Sequence, residues 1–312
     1  MGERFGNDTW SMILGGSSGF GLATAQLLAT KGMNLVVVHR DRKGAMARIE
    51  PEFDKIRTCG VELVTFNADA LDSAVRGEIL DDVAKRLGGA GRIRVLLHSI
   101  AFGNLKLLVA ERPRESNAPQ ALAKALGIDE RRLVEAADRL LGEGVDAVVG
   151  IASPAAYAND AFIDEEDLAR TIHSMGTSLL GWTQETLRRG LFASDARVIG
   201  LTSEGNTVAW KGYAAVAAAK VALESIARGI AVEMAPHGIR ANVIQAGITD
   251  TPALRLIPGN AQLKAQARLR NPFRRLTRPE DVANVVYLLS RDEAAWINGD
   301  VIRVDGGEHV AG

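Results

Sequence analysis

A single cysteine in 312 residues, Cys59, excludes an internal disulfide and any cysteine-based metal cluster. The five histidines, His39, His98, His173, His237 and His309, form no ligand spacing, which argues against a metal site. No apolar run reaches the roughly 20 residues that a membrane span requires. Charge of one sign is also missing. Lys and Arg number 37 and Asp and Glu 38, a net charge of −1, so there is no electrostatic case for nucleic acid or an anionic membrane as partner. The first eight residues contain no apolar core of the kind a secretory signal has, and the expected compartment is a reducing cytoplasm. Aromatic residues make up only 5% of the chain, and glycine is plentiful at 32 residues, a composition suited to helices packed closely on a sheet.

What is present is an alternation. Short β-branched runs at 10–14, 34–39, 61–66, 94–98, 197–202, 240–245 and 301–304 read as strands. Longer helical patterns at 19–30, 43–57, 72–87, 164–189, 212–235 and 279–290 lie between or after them. Leu35-Val36-Val37-Val38 is apolar on both faces, as a parallel strand covered by helices on each side must be. The expectation is one doubly wound α/β (Rossmann) domain over 1–312, with a parallel sheet of about seven strands. Two stretches break the rhythm. Residues 102–163, after the fourth strand, are too long for an ordinary connection. They read as a helical insertion near the mouth of the site, with Asp129 as a helix N-cap. Residues 251–278 carry seven basic side chains (Arg255, Lys264, Arg268, Arg270, Arg274, Arg275 and Arg278) and no acidic one. The run reads either as a docking surface for an acidic partner or as a solvated helix face.

Gly15-Gly16-Ser17-Ser18-Gly19-Phe20-Gly21 follows the first strand and opens the first helix. Glycines there let the backbone turn sharply and approach a pyrophosphate, which the helix N-terminus then meets with free N–H groups. Gly15, Ser17, Ser18, Gly19, Phe20 and Gly21 are therefore candidate cofactor-binding residues. An acid at the end of strand two would favour NAD. His39 stands in that place, and Arg40 follows it. Arg suits a 2′-phosphate, so NADPH (NADP) is expected in preference to NADH, with Asp41 as the competing reading if the strand runs on. Asp69, beside Ala70, reads either as an acceptor for the adenine amino group or as the N-cap of the next helix.

Tyr213 and Lys220 are seven residues apart in a stretch with no helix breaker, which puts both on one helix face. A phenol beside an ammonium is a proton donor whose pKa the positive charge lowers. An amphipathic helix with a snorkelling lysine would have the same spacing.

The order of these features resembles the short-chain dehydrogenase/reductase superfamily over nearly the whole chain: the Gly15–Gly21 loop, Asp69, a motif after strand four, a Tyr/Lys helix and Val304-Asp305-Gly306-Gly307. Two details resemble its enoyl-acyl-carrier-protein reductase branch, namely His98-Ser99-Ile100-Ala101-Phe102 and the Tyr-x6-Lys spacing in place of Tyr-x3-Lys. The resemblance implies that Ser99, Ile100, Ala101, Gly247, Ile248 and Thr251 line the cofactor. The Ile248 backbone would meet the nicotinamide carboxamide, with Thr251 near it or near the phosphates. It implies that Lys220 holds the nicotinamide ribose and that 251–278 covers the substrate. It also implies a homo-oligomer, a dimer or tetramer, acting in fatty acid biosynthesis. His173 falls where many members place a water-holding Asn, and it reads either as a proton relay or as a structural residue. Two positions depart from the branch: Ser203 stands where it carries a second Tyr, and Val216 where it carries a Met. Ser203 resembles instead the serine of the ketone-reducing members and is a third candidate catalytic residue beside Tyr213 and Lys220.

Conjugate reduction delivers hydride to a carbon three bonds from the oxygen that gains charge. Moving Tyr from four to seven residues before Lys shifts it about 4.5 Å along a helix, toward that oxygen. The expected function is therefore reduction of the 2,3 double bond of an enoyl thioester, on an acyl carrier protein or coenzyme A. The alternatives are a 3-oxoacyl or other carbonyl reductase using Ser203, and a dinucleotide sensor that has lost turnover.

Overall fold

Seven strands form one wholly parallel sheet in the order β3-β2-β1-β4-β5-β6-β7. They are β1 (Thr9–Leu14), β2 (Asn34–His39), β3 (Leu63–Asn67), β4 (Arg92–His98), β5 (Phe192–Ser203), β6 (Ile239–Ala246) and β7 (Val301–Val304). This computed structural model describes residues 4–112, 117–158 and 161–311. Residues 1–3, part of the N-terminal stretch read for a signal, lie outside the described residues, as do 113–116 and 159–160 of the insertion. Among the described residues no helix is long and apolar enough to cross a membrane.

Alternation along each strand feeds two cores, as a sheet covered on both faces requires. Met12, Leu14, Val36 and Val38 face α3 (Ser73–Leu87), α7 (Ser178–Arg188) and α8 (Ala214–Glu233). Ile13, Leu35 and Val37 face α1 (Gly19–Thr30), α2 (Met46–Arg57) and α11 (Pro279–Ser290). One irregularity breaks this parity. Trp10 pairs with Ile93 and Ser11 with Val95, so Arg94 is an extra residue in β4. Ile93 and Leu96 consequently join the same core. The displaced Arg94 turns its guanidinium to Asp292 at 2.5 Å and Asp195 at 2.9 Å.

Several boundaries differ from the sequence reading. β5 begins at Phe192, because Phe192 pairs with Ile93 before the register shifts and resumes at Val95–Arg197. β3 starts at Leu63, and the helical run from residue 43 opens with a 3-10 turn. The helix read over 164–189 is two helices, α6 (Glu165–Ile172) and α7, joined by a π turn at His173–Thr177. There α8 crosses closely, since a Cβ on Gly176 would lie 2.7 Å from the Ala219 carbonyl oxygen. Such turns occur often at functional sites. Within the insertion, α4 (Asn117–Leu126) and α5 (Glu130–Gly142) are helical, and Asp129 caps α5 by accepting from the Arg132 N–H at 3.1 Å.

Candidate active site

A cavity of about 880 Å³ runs along the carboxyl ends of the strands, where ligands bind in open α/β sheets. One end is the glycine loop. Gly15 has φ +85°, and a Cβ there would lie 2.5 Å from the Ser99 carbonyl oxygen. A Cβ on Gly21 would lie 2.2 Å from the carbonyl oxygen of Gly15. No side chain larger than hydrogen fits either position. Ser18 stands at the N-cap of α1, yet its side chain caps nothing and no acid occupies the first turn. The first-turn N–H groups are left without a side-chain acceptor, a cradle that suits a pyrophosphate. Gly15, Ser17, Ser18, Gly19 and Phe20 face the cavity, whereas Gly21 is buried behind the loop.

At the end of β2 the three candidates separate. His39 is buried edge-on against Phe53, with Nδ1 2.9 Å from Asp41 Oδ2. Asp41 is thus occupied by the imidazole, and its backbone is tied to the Asn67 side chain in both directions. Arg40 reaches out. Its guanidinium donates to Asp69 Oδ2 at 2.7 Å and lies 4.5 Å from the centre of the Phe102 ring. Asp69 also accepts from the Leu71 N–H at 3.0 Å, but it does not cap α3. That cap is Asp72, which accepts from the N–H groups of Ala74 and Val75. The capping alternative for Asp69 is therefore corrected. Ala70 lines the cavity, and its carbonyl accepts from the Trp182 indole at 2.9 Å.

At the other end, β5 delivers Ser203 and α8 delivers Tyr213 and Lys220. Tyr213 stands at the N-cap of α8, just outside the helix, with φ −108°. Its ring packs edge-on to Trp210 and close over Gly205, where a Cβ would lie 2.4 Å from the ring. The Tyr213 hydroxyl is 3.3 Å from Ser203 Oγ. Lys220 is buried and donates to the Leu201 carbonyl at 2.8 Å. The expected lowering of the phenol by the ammonium is not found. Burial pushes the Tyr213 pKa up, against a smaller opposing effect of the Ser203 hydrogen bond. Burial also pulls Lys220 down to about 8, with Glu224 opposing. Val216, four residues before Lys220, presents hydrocarbon to the cavity beside Met175 and Leu105.

Ser99, Ile100 and Ala101 line the floor of the cavity. His98 beneath them is buried and bonded to Ser178 at 2.8 Å, and burial lowers its pKa to about 3, so it stays neutral. His173 does not reach the site. Its ring contacts the Leu71 carbonyl and Thr177, which answers the relay-or-structure question with a tether. Gly247, Ile248 and Thr251 face the cavity between β6 and the short helix α9 (Pro252–Arg255). The Thr251 methyl would be 3.4 Å from a Cβ on Gly19, which places it on the glycine-loop side.

Sequence reasoning missed one cluster. Arg270, at the end of α10 (Asn260–Arg270), donates to both oxygens of Glu204, at 3.1 and 2.7 Å, and to Glu308 at 3.2 Å. Glu308 in turn accepts from the Ile248 N–H at 3.3 Å. The only signal in the sequence is that Glu204 follows Ser203.

Much of the basic run 251–278 is engaged within the chain. Arg255 pairs with Asp250, Arg268 with Asp146, Arg270 with Glu204 and Glu308, and Arg275 with Asp281. Lys264 lies 3.7 Å from Asp250, so five of the seven basic side chains have acidic partners within the chain. The Arg268–Asp146 pair is two-pronged, at 2.7 and 2.5 Å, and fastens α10 to the insertion. Gln262 adds a bond to the Ser153 carbonyl at 2.8 Å. Pro154, Ala155 and Tyr157 of the insertion then wall the cavity. Arg268→Ala is expected to raise the KM for substrate about tenfold, with dinucleotide affinity unchanged, and to speed proteolysis within the insertion. An unaltered KM and digestion rate would show that the pair is incidental.

Comparison with known proteins finds relatives over nearly the whole chain. A family model described as "Enoyl-(Acyl carrier protein) reductase" matches residues 125–309, and one described as "short chain dehydrogenase" matches residues 9–111. The chain is 26% identical over 308 residues to cis-4-hydroxycyclohexanecarboxylate dehydrogenase of Sinomonas cyclohexanicum, with 98% of each chain covered. It is 27% identical over 305 residues to a probable 2,4-dienoyl-CoA reductase of Bacillus subtilis, with 95% of each covered. Among solved structures, a short chain dehydrogenase of Burkholderia cenocepacia in complex with NADP has the same fold, with TM-score 0.67 and 21% identity over 96% of this chain and 97% of that one.

Proposed function

The chain belongs to the short-chain dehydrogenase/reductase family, and from that premise we propose that it is an NADPH-dependent reductase of enoyl thioesters. The observation that carries this reading is the separation of Tyr213 from Lys220. The phenol stands at the mouth of α8 beside Ser203, while the ammonium is engaged with Leu201 two turns further in. Between them, at the position nearer the lysine, Val216 offers no proton. An acid so placed suits an oxygen displaced from the carbon under attack. The bound dinucleotide supplies a hydride. Tyr213 donates its hydrogen to the thioester oxygen as negative charge develops there, and a phenol raised by burial keeps that proton until it is needed. Lys220 anchors the nicotinamide ribose. Leu105, Met175 and Val216 exclude water from the reacting carbon.

A second reading rests on Ser203. Two hydroxyls 3.3 Å apart can both bond one carbonyl oxygen, as reduction of a ketone or 3-oxoacyl thioester requires. The hydroxycyclohexanecarboxylate relative has an alcohol as its named substrate, and the dienoyl-CoA relative a conjugated thioester. Following NADPH absorbance with crotonyl and acetoacetyl thioesters separates the two readings. Oxidation with crotonyl alone supports the first, and oxidation with acetoacetyl alone replaces it with the second. Binding without turnover on either leaves a sensor. The carrier, acyl carrier protein or coenzyme A, and a homo-oligomeric assembly are part of the same proposal.

NADPH is favoured because Arg40 extends into the cavity while Asp41 is taken up by His39. A 2′-phosphate would replace the Asp69 carboxylate as its partner. Arg40→Ala is expected to weaken NADPH about tenfold and to leave NADH unchanged. Equal loss for both cofactors, or for neither, overturns the preference.

A further inference from the structure

The cluster around Arg270 has no part in the chemistry above, yet it borders the reacting end of the cavity. A dinucleotide whose pyrophosphate rests on α1 extends its nicotinamide over the ends of β4, β5 and β6. Ser203, Tyr213, Lys220, Ile248 and Glu308 all face that part of the cavity. The Glu308 side chain is only 3% exposed. It is held between the Ile248 N–H and Arg270.

The charges there do not balance. Carboxylates come from Glu204 and Glu308, from Asp305 in the turn after β7, and from Glu224 one turn beyond Lys220. Asp305 accepts from the N–H groups of Gly307 and His309. Glu224 accepts from Thr202 and Asn206. Against these four stand two permanent or near-permanent cations, Lys220 and Arg270, and Arg270 alone is shared by two of the acids. His309, 3.4 Å from Glu204, adds charge only when protonated. Burial lifts the Glu308 pKa, while the Arg270 pair and the Ile248 N–H bond favour its charged form.

Resting on the nicotinamide reading above, we propose that Glu308 is a positioning residue that favours the oxidised, cationic nicotinamide over the reduced, neutral one. An anionic wall attracts the ring only in its charged form. The effect on reduction is to stabilise the complex left after hydride has departed. The same carboxylate fixes the Ile248 amide, which ties the charge to the geometry of the loop after β6.

The test is equilibrium binding of NADP+ and NADPH, by calorimetry and by fluorescence, to the whole protein and its variants. Glu308→Gln keeps the shape and an acceptor for Ile248 but removes the charge. The Kd for NADP+ should rise about tenfold while that for NADPH changes less than about twofold. Arg270→Gln leaves both carboxylates uncompensated and should move the ratio the opposite way, tightening NADP+ relative to NADPH. Opposite signs from the two variants cannot come from a shared loss of structure. If Glu308→Gln does not fold, the Arg270→Gln ratio decides alone. Equal factors on both cofactor forms, or shifts of the same sign in both variants, overturn the proposal while leaving the nicotinamide reading intact. Failure of the unaltered protein to bind either form sinks that reading, and this inference with it.

Discussion

Tyr213→Phe should lower turnover about 10²- to 10⁴-fold, the range typical of a lost proton donor, with NADPH affinity within about twofold of the unaltered protein. The substitution removes one hydroxyl and leaves a ring that still packs on Trp210 and Gly205, so the fold has little reason to respond. The buried hydroxyl bonds Ser203 Oγ. A serine left behind at the end of β5 is half-buried and finds another partner at small cost. Ser203→Ala sharpens the result. If the substrate oxygen rests on Tyr213 alone, as conjugate reduction requires, the serine variant keeps turnover within about tenfold. If two hydroxyls share a ketone oxygen, both variants fall together. A Tyr213→Phe enzyme with full turnover would remove the phenol from the chemistry altogether.

The second large effect concerns Lys220, and it pits activity against stability. Its pKa falls from 10.5 in the unfolded chain to about 8 in the folded one, because burial penalises the charged form. Below about pH 8 both states carry the proton, and the folded state bears a cost of about 3 kcal/mol for holding it. Between about pH 8 and 10.5 the unfolded chain binds more protons than the folded one, so this residue makes stability rise with pH there. Turnover should move oppositely, falling above about pH 8 as the ammonium proposed to anchor the cofactor is lost. Lys220→Met should abolish most activity and flatten the stability gain over the same window. Urea titrations from pH 7 to 10 on both proteins test this directly. An unchanged slope in the methionine variant would mean that another group titrates there.

The parts of the fold that were legible in sequence are those set by local repetition. Leu35-Val36-Val37-Val38 announced a strand with two apolar faces, and Ile13 and Leu14 beside Gly15 announced a strand ending in a tight turn. Ser203, Tyr213 and Lys220 were legible as candidates because residue type and spacing already hint at proton chemistry, and the structure brings the first two together. What stayed hidden depends on distant partners. Nothing near Arg94 signals that it is the extra residue of β4, since its ion partners are Asp195 and Asp292. Arg268 and Arg270 looked unopposed because Asp146, Glu204 and Glu308 lie 122, 66 and 38 positions from the arginines they meet. The effect of the lysine on the tyrosine was misjudged for a related reason. Spacing along α8 places both groups on one side, but burial depth, which spacing does not encode, decides how far each pKa moves.

The two-pronged bond between Arg268 and Asp146 has a consequence for anyone recombining this chain with its relatives. A chimera that imports a foreign stretch between β4 and α6 without position 268 would strand a guanidinium against whatever side chain arrives. One that exchanges α10 alone would strand the carboxylate. The two segments, more than a hundred residues apart, are coupled through this pair, and a chimera keeps it intact only by moving them together.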